Sequence, residues 1–502
     1  MINQHMSPLF RIPRELRDEI YAYYAHEDDG LLYNYASRSL RFVNGRELDL
    51  SVTCKAIAEE MRGVSLQVNT VTFVPGCEET QGLVPHQAPP RACRFEHLLF
   101  ATRWTKLVML HYAAECVTET DLEMVIKAYP AISNVFRSCF RAIRSGFDCR
   151  MMSWHSQIPR DVFTTSFCDA VQYTLDLIAN HPKFEELISK ACESPERYPW
   201  PQPPFMQGTH RQVLRWRPNA WLIPTDHELC RMESLLTTLQ APPRERAKTY
   251  QETNVYFSAT AICIATLDRL TPRARKQLRS INLREDCRGV GNPEVHAEGL
   301  INYCKENRKL QFRMQASFST MLAPSFWTKP ASLVAQPATG TWANVHDYMR
   351  ILVDWLMRTA ALTKLGMPKN SFAAVLDAQS QEAAYLWQYI SRAASTRAHM
   401  PEDILNEDER DGAEELILPA MYMALWRLPA GLTSVVEDII NDVSIIRLET
   451  PARERLQQKE PVKPYATWSF RDWYYVYKPI NDDVMFPGDA DAYFQRYFKR
   501  LT

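Results

Sequence analysis

The sequence predicts an α+β protein that is mainly helical, with a small, partly parallel sheet. Three observations carry that expectation. Long stretches place apolar residues at the three-to-four-residue spacing of amphipathic helices, as in "WANVHDYMRILVDWLMRTAAL". A few short segments are rich in β-branched residues or alternate in polarity, such as "LQVNTVTFV" and "LQFRM", and read as strands. One strand–helix–strand succession within residues 254–318 has the length of a parallel crossover, normally right-handed.

Taken in order, Pro13 suits the first turn of a helix, where its missing N–H costs nothing. Leu16, Ile20, Tyr21 and Tyr24 follow at helical spacing, and Arg14 and Asp18 form a favourable pair four residues apart. Residues 31–50 read as extended, with a turn at "VNGRE". "TCKAIAEEM" is a second helix with Cys54, Ile57, Ala58 and Met61 on its apolar stripe, and "LQVNTVTFV" is a strand. Residues 1–75 are therefore expected to form one helix–extended–helix–strand unit, with 76–502 as a helix-rich body. In this reading Leu16, Ile20 and Tyr24 face inward, towards Ile57 and Met61. The pre-helical Leu9, Ile12 and Pro13 are left for a partner.

Residues 76–92 are a loop by composition, and helices follow to about residue 193, with Asp121 as the cap of "LEMVIKAY". The stretch 194–224 is rich in proline and tryptophan and reads as a loop packed on the body, because a free linker has no use for large apolar side chains. The α/β segment runs from 254 to about 380. It opens with the helix "NVYFSATAICIATLDRL", a short helix started by Thr271 and Pro272, and the strand "RSINL". The helix "HAEGLINYCKEN" turns Leu300, Ile301 and Cys304 inward, and "LQFRM" puts Leu310, Phe312 and Met314 on one face. "WANVHDYMRILVDWLMRTAAL", a strand in "SFAAVLD" and the helix "SQEAAYLWQYISRAA" complete the pattern. An acidic tract from Pro401 to Glu415 reads as a solvated loop, aromatic residues crowd 461–502, and no fixed-period repeat occurs.

Composition removes several function classes. The chain has 502 residues, enough for several domains or one large one with appendages, and its 46% hydrophobic and 23% charged content is that of a globular protein. A net charge of −1 gives no global pull towards DNA, RNA or anionic lipid, so neither nucleic acid nor membrane is expected as a partner. The longest apolar-rich run, "VYFSATAICIATL", falls short of the roughly 20 residues that cross a bilayer. "MINQHMSPLFRIPREL" lacks the apolar core of a signal peptide, and the 12 cysteines are scattered without a C-x-x-C. An intracellular protein, cytoplasmic or nuclear, with reduced thiols is expected. Glycine numbers only 15, under half the usual share of about 7%, which weighs against phosphate-cradling loops and nucleotide enzymes.

The opening segment resembles the F-box-like domain of a large family of filamentous-fungal proteins. The matching residues are "FRIPRELRDEIYAYY", "TCKAIAEEM" and "NTVTF". In that family an L-P-x-E-[IL]-R-x-x-I-Y helix precedes a T-C-[KR]-x-I-x-x-E helix and an N-T-F strand. "RWRPNAWLIP", "YFSATAICIATLDRLTPRARKQLRSINLRED" and "PEVHAEGLINYCKENRKLQFRM" also resemble segments of its longer members. Here the second helix follows the extended residues 31–50, and Cys54–Lys55–Ala56–Ile57 stands where an ordinary F-box has C-x-x-W. Membership implies docking onto the adaptor subunit of an SCF ubiquitin ligase through Leu9, Ile12, Pro13, Leu16 and Ile20, and capture of an unknown protein substrate by the remainder.

Other candidates for chemistry are weaker. Cys77, His86, Cys93 and His97 lie within 21 residues in a spacing that matches no usual zinc site, so no metal is expected. "GVGNPE" lacks the third glycine of a dinucleotide fingerprint and reads as a turn. A catalytic role for His296 would need an apposed acid or nucleophile, and none is identifiable, while the aromatics between Tyr465 and Tyr477 carry too few flanking cations for base stacking. No cofactor and no catalytic residue are assigned. The expectation is a non-enzymatic interaction protein, in its specific form an F-box-type substrate-recognition subunit. Two alternatives stay open: a structural or regulatory domain whose F-box-like helix is core, and an enzyme with no recognisable motif.

Overall fold

The structure, a computed structural model, describes residues 8–45, 48–76, 91–130, 133, 136, 137, 140, 165–193, 205–236, 256–287, 289–318, 342–379, 381–399, 429, 431–449 and 483–485. The acidic tract at 401–415, the aromatic run at 465–477, and Cys77 and His86 of the cysteine–histidine set lie outside these residues.

Helix α1 (Arg14–Ala25) starts one residue later than expected. Pro13 holds extended backbone at the N-cap instead of the first helical position. The extended residues that follow turn back early: β1 (Leu31–Asn34) and β2 (Ser39–Phe42) pair antiparallel around residues 35–38. Asn34 Oδ1 accepts the Ser37 N–H at 2.9 Å and Arg38 takes a left-handed φ of 52°, so the reversal is complete before "VNGRE". Next come α2 (Leu50–Thr53), α3 (Lys55–Glu60) and α4 (Val64–Val68). The expected strand over 66–74 shortens to β3 (Thr70–Phe73), because α4 takes its first residues. Asn69, 2% exposed, fixes this junction. Its amide donates to the carbonyls of Ala25 and Ser65, and its Oδ1 accepts the Glu27 N–H.

A helical region follows: α5 (Arg91–Tyr112), α6 (Glu119–Ala128), α7 (Thr165–Ile178), α8 (Phe184–Glu193), α9 (His210–Arg215) and α10 (Asp226–Glu233). The cap of α6 is Thr118, not Asp121. Thr118 accepts the Asp121 N–H, and the Asp121 carboxylate returns the bond to the Thr118 N–H. Trp216 and Trp221, in the loop expected to pack on the body, do pack against the core.

The α/β segment closely follows its sequence pattern. Ser258 caps α11 (Ala259–Arg269), and Thr271 caps α12 (Pro272–Arg275) with Pro272 at its start. Strand β4 (Ser280–Glu285) leads to a 3-10 turn over Pro293–Leu300 and then to α13 (Ile301–Glu306) and β5 (Gln311–Ser317). The helix expected from His296 thus begins as a tighter 3-10 turn, with Leu300, Ile301 and Cys304 buried as expected. Trp342–Asn344 forms a short strand, β6, ahead of α14 (Val345–Ala361). Then come β7 (Phe372–Asp377), α15 (Gln381–His399), α16 (Leu432–Ile440), β8 (Ile446–Glu449) and β9 (Asp483–Met485), which pairs with β6.

Seven strands form one sheet in the order β2-β1-β3-β4-β5-β7-β8. Every pairing is parallel except that of the edge hairpin β1–β2. The sheet continues across residue 75: strands of the N-terminal unit and strands of the body lie in it side by side. The architecture is therefore mixed α/β, helix-rich, with a mostly parallel sheet.

β2 pairs on one side of β1, and β3, β4, β5, β7 and β8 are added in turn on the other. Right-handed crossovers between strands added in one direction all lie over one face. The side chains agree. Val71, Ile281, Phe312 and Phe372 form one buried row, and Phe73, Leu283, Met314, Ala374 and Ile446 form the next. On β3, β4 and β5 the opposite face carries Thr70, Thr72, Ser280, Asn282, Arg284, Gln311, Arg313 and Gln315, all half-buried or exposed, while on β7 it carries the buried Val375. Parallel sheets are normally covered on both faces and built of near-continuous apolar runs. These central strands alternate instead, because one of their faces is polar.

Candidate functional site

Helix α1 carries two apolar faces. Tyr21 and Ala25 are fully buried, and Tyr21 joins Ile57 and Met61 in a small core of its own, with Leu9, Phe10, Tyr24 and Val64 packed around it. Leu16 is 49% exposed, Ile20 41% and Tyr23 88%. At 3.6 residues per turn these three lie within about 60° of one another, on the side away from Tyr21. The expectation that Leu16 and Ile20 face Ile57 and Met61 is corrected: Tyr21 takes that place.

The reason is a polar clamp. Glu60, at the end of α3, accepts from Arg17 at 2.6 and 3.0 Å and from the Tyr21 hydroxyl at 2.8 Å, and pairs with Arg14 at 2.9 Å. Arg14, Arg17 and Tyr21 share one side of α1, so satisfying Glu60 turns that side inward and leaves Leu16 and Ile20 outside. The Arg17 bonds, aided by Tyr21 and Arg14, hold the Glu60 carboxyl down at about 2. Burial and the bond to Glu60 push the Tyr21 hydroxyl up to about 12.

The residues expected to meet a partner divide accordingly. Leu9 packs on the small core and Ile12 is half-buried, with its carbonyl accepting from Arg17 at 2.7 Å. Pro13, Leu16 and Ile20 are exposed. Tyr23, which sequence reasoning left out, extends their stripe by one turn; its place one helical turn beyond Ile20 was the available signal.

A second site lies in the body. A cavity of about 290 Å³ opens between α5, α7, α14 and the loop carrying Trp216 and Trp221. Its walls hold four cations. Arg217 pairs with Asp176 at 2.5 Å, and Arg358 lies 3.3 Å from Asp169 and 3.7 Å from Glu298. Lys106, 9% exposed, donates to the Trp216 carbonyl at 2.8 Å, and Arg103, one turn earlier on α5, donates to Asn292 Oδ1 at 2.8 Å. No carboxylate of the described residues lies within ion-pair distance of Arg103 or Lys106. Burial, with Arg217 and Arg103 nearby, lowers the Lys106 ammonium to about 8. Three more buried polar atoms on these walls lack a hydrogen-bond partner: Gln172 Oε1, Glu298 Oε1 and Arg358 Nε. Burial also raises the Glu298 carboxyl. None of this cluster was legible in sequence, because its members come from segments far apart in the chain.

His296 does have a hydroxyl beside it: Ser258 Oγ lies 2.6 Å from Nδ1, while Nε2 donates to the Gly291 carbonyl at 3.1 Å. The pair is structural. Ser258 Oγ also accepts the Ala261 N–H as the cap of α11, both residues are buried, and burial lowers the imidazole to about 4. The glycines of "GVGNPE" serve the same junction. A Cβ on Gly289 would meet Ser258 at 2.6 Å, and Gly291 has φ +83° against the Ala220 carbonyl. Glu285 closes the other side, accepting the N–H groups of Ala259 and Thr260 at the start of α11. Among the described residues no group of three or more His, Cys, Asp or Glu side chains is placed to hold a metal ion, and no helix is long and apolar enough to cross a membrane.

Comparison with protein-family models, with curated proteins and with solved structures gave no match at significance.

Proposed function

We propose that this protein is a non-enzymatic interaction protein that docks a partner through the outward stripe of α1, and that the partner is the adaptor subunit of an SCF ubiquitin ligase. The observation that carries the reading is the division of labour on α1. Glu60 and the small core hold one face, and Pro13, Leu16, Ile20 and Tyr23 are left in water on the other. An amphipathic helix with such an apolar stripe is what a partner groove accepts. The resemblance of "FRIPRELRDEIYAYY" and "TCKAIAEEM" to F-box-like domains supplies the adaptor as that partner. The polar face of the sheet, with Arg284, Gln311 and Arg313 exposed along adjacent strands, suits capture of a protein substrate by the same molecule.

The test is a pull-down from fungal lysate with the intact chain as bait. Recovery of the adaptor with the parent protein, and its loss with Leu16→Ala plus Ile20→Ala, is the expected outcome. A folded chain that recovers no adaptor overturns the specific reading.

A further inference from the structure

Two of the four cations around the body cavity have no ion-pair partner among the described residues. Arg217 and Arg358 each have acidic partners, whereas Arg103 and Lys106 each make one hydrogen bond to a neutral oxygen. A buried ammonium has three donors, and Lys106 uses one on the Trp216 carbonyl. Unpaired charge in a dry site is costly, so proteins seldom keep it without a use. Arg103 and Lys106 are three residues apart on α5 and so share a face. The apolar part of the wall comes from Trp216, Trp221, Phe167 and Val171. A cavity of about 290 Å³ sits at the small end of ligand sites, which run from about 300 to 1,000 Å³, and suits a single-ring molecule rather than a nucleotide.

We propose that this cavity binds a small organic oxyanion, a carboxylate or a phosphate monoester on an apolar body, with the oxyanion at Arg103 and Lys106 and the body against Trp216 and Trp221. The proposal is independent of α1 and of any adaptor. Gln172 Oε1, which has no hydrogen-bond partner on the same walls, accepts any N–H or O–H that the body carries.

Isothermal titration calorimetry on the full chain tests it, with phenylacetate, phenyl phosphate, neutral phenylacetamide and inorganic phosphate as probes. At least one aromatic anion binds saturably, and the stronger of the two identifies the oxyanion. Phenylacetamide and inorganic phosphate bind at least about tenfold more weakly, a difference of about 1.4 kcal/mol. Lys106→Met keeps the length of the side chain and removes its charge, and Arg103→Gln keeps a donor for Asn292. Each lowers affinity at least tenfold while circular dichroism and melting temperature report an intact fold. Failure of both aromatic anions to bind, equal binding of the amide or of inorganic phosphate, or unchanged affinity in both folded variants overturns the proposal.

Discussion

Glu60 shows how one carboxylate decides which side of a helix is buried. It takes Arg14, Arg17 and Tyr21 at once, with its own side chain 14% exposed. Glu60→Gln leaves Arg17 and Tyr21 short of an acceptor and is expected to lower stability by about 1–3 kcal/mol in urea unfolding. Because the folded state lowers the Glu60 carboxyl from 4.5 to about 2, its contribution is complete above pH 4.5 and is lost as pH falls towards 2. The parent and Glu60→Gln stability curves should therefore converge across that window. Lys106 has the opposite sign. Its folded value, about 8, lies below the ordinary 10.5, so the unfolded chain binds the proton more tightly and stability rises with pH between those values. Below pH 8 the whole penalty is present, and Lys106→Met is expected to raise stability at pH 7 by up to roughly 3 kcal/mol. The charged and titratable groups around Lys106 are Arg103 on its own helix, Cys168, Asp169 and Asp176 on α7, and Arg217. The Arg14–Asp18 pair was legible in sequence because helical neighbours four apart always meet. The Glu60 clamp was not, since its partners lie more than a helix away in the chain.

At the scale of elements, the periodicity of α1 located the helix but not its inward face. Leu16 and Ile20 form one apolar row and Tyr21 with Ala25 another, and spacing alone does not rank two rows. The structure ranks them by exposure, and stability measurements should do the same. Leu16→Ala is expected to cost under about 1 kcal/mol, in line with an exposed site, and Tyr21→Ala about 3–5 kcal/mol. Equal losses in thermal unfolding would contradict the assignment of faces. Other elements were legible for plain reasons. "LQFRM" alternates strictly, so β5 with its buried Phe312 and Met314, and the buried Leu310 just before it, follow from pattern alone. Local competition explains most of the misplaced ends: Thr118 with its reciprocal Asp121 set the start of α6, and Asn34 with Arg38 closed the hairpin early.

Across the whole molecule, the order of strands is what sequence could not give. Each strand was visible singly, but neighbours such as β3 and β4, in register from Thr70↔Ser280 to Phe73↔Leu283, come from opposite ends of a long helical insertion. That order puts the β1–β2 hairpin at the sheet's edge. The described residues thus present an apolar stripe on α1, a polar face on strands β3 to β5 and a cationic cavity. The stripe on α1 is proposed to dock an SCF adaptor. Its most direct test is titration of the purified full chain with purified adaptor, read by calorimetry, beside the Leu16→Ala plus Ile20→Ala variant at matched melting temperature. A saturable complex with the parent chain and at least about tenfold weaker binding by the variant are expected. No complex with the parent, or an equally tight one with the variant, contradicts it.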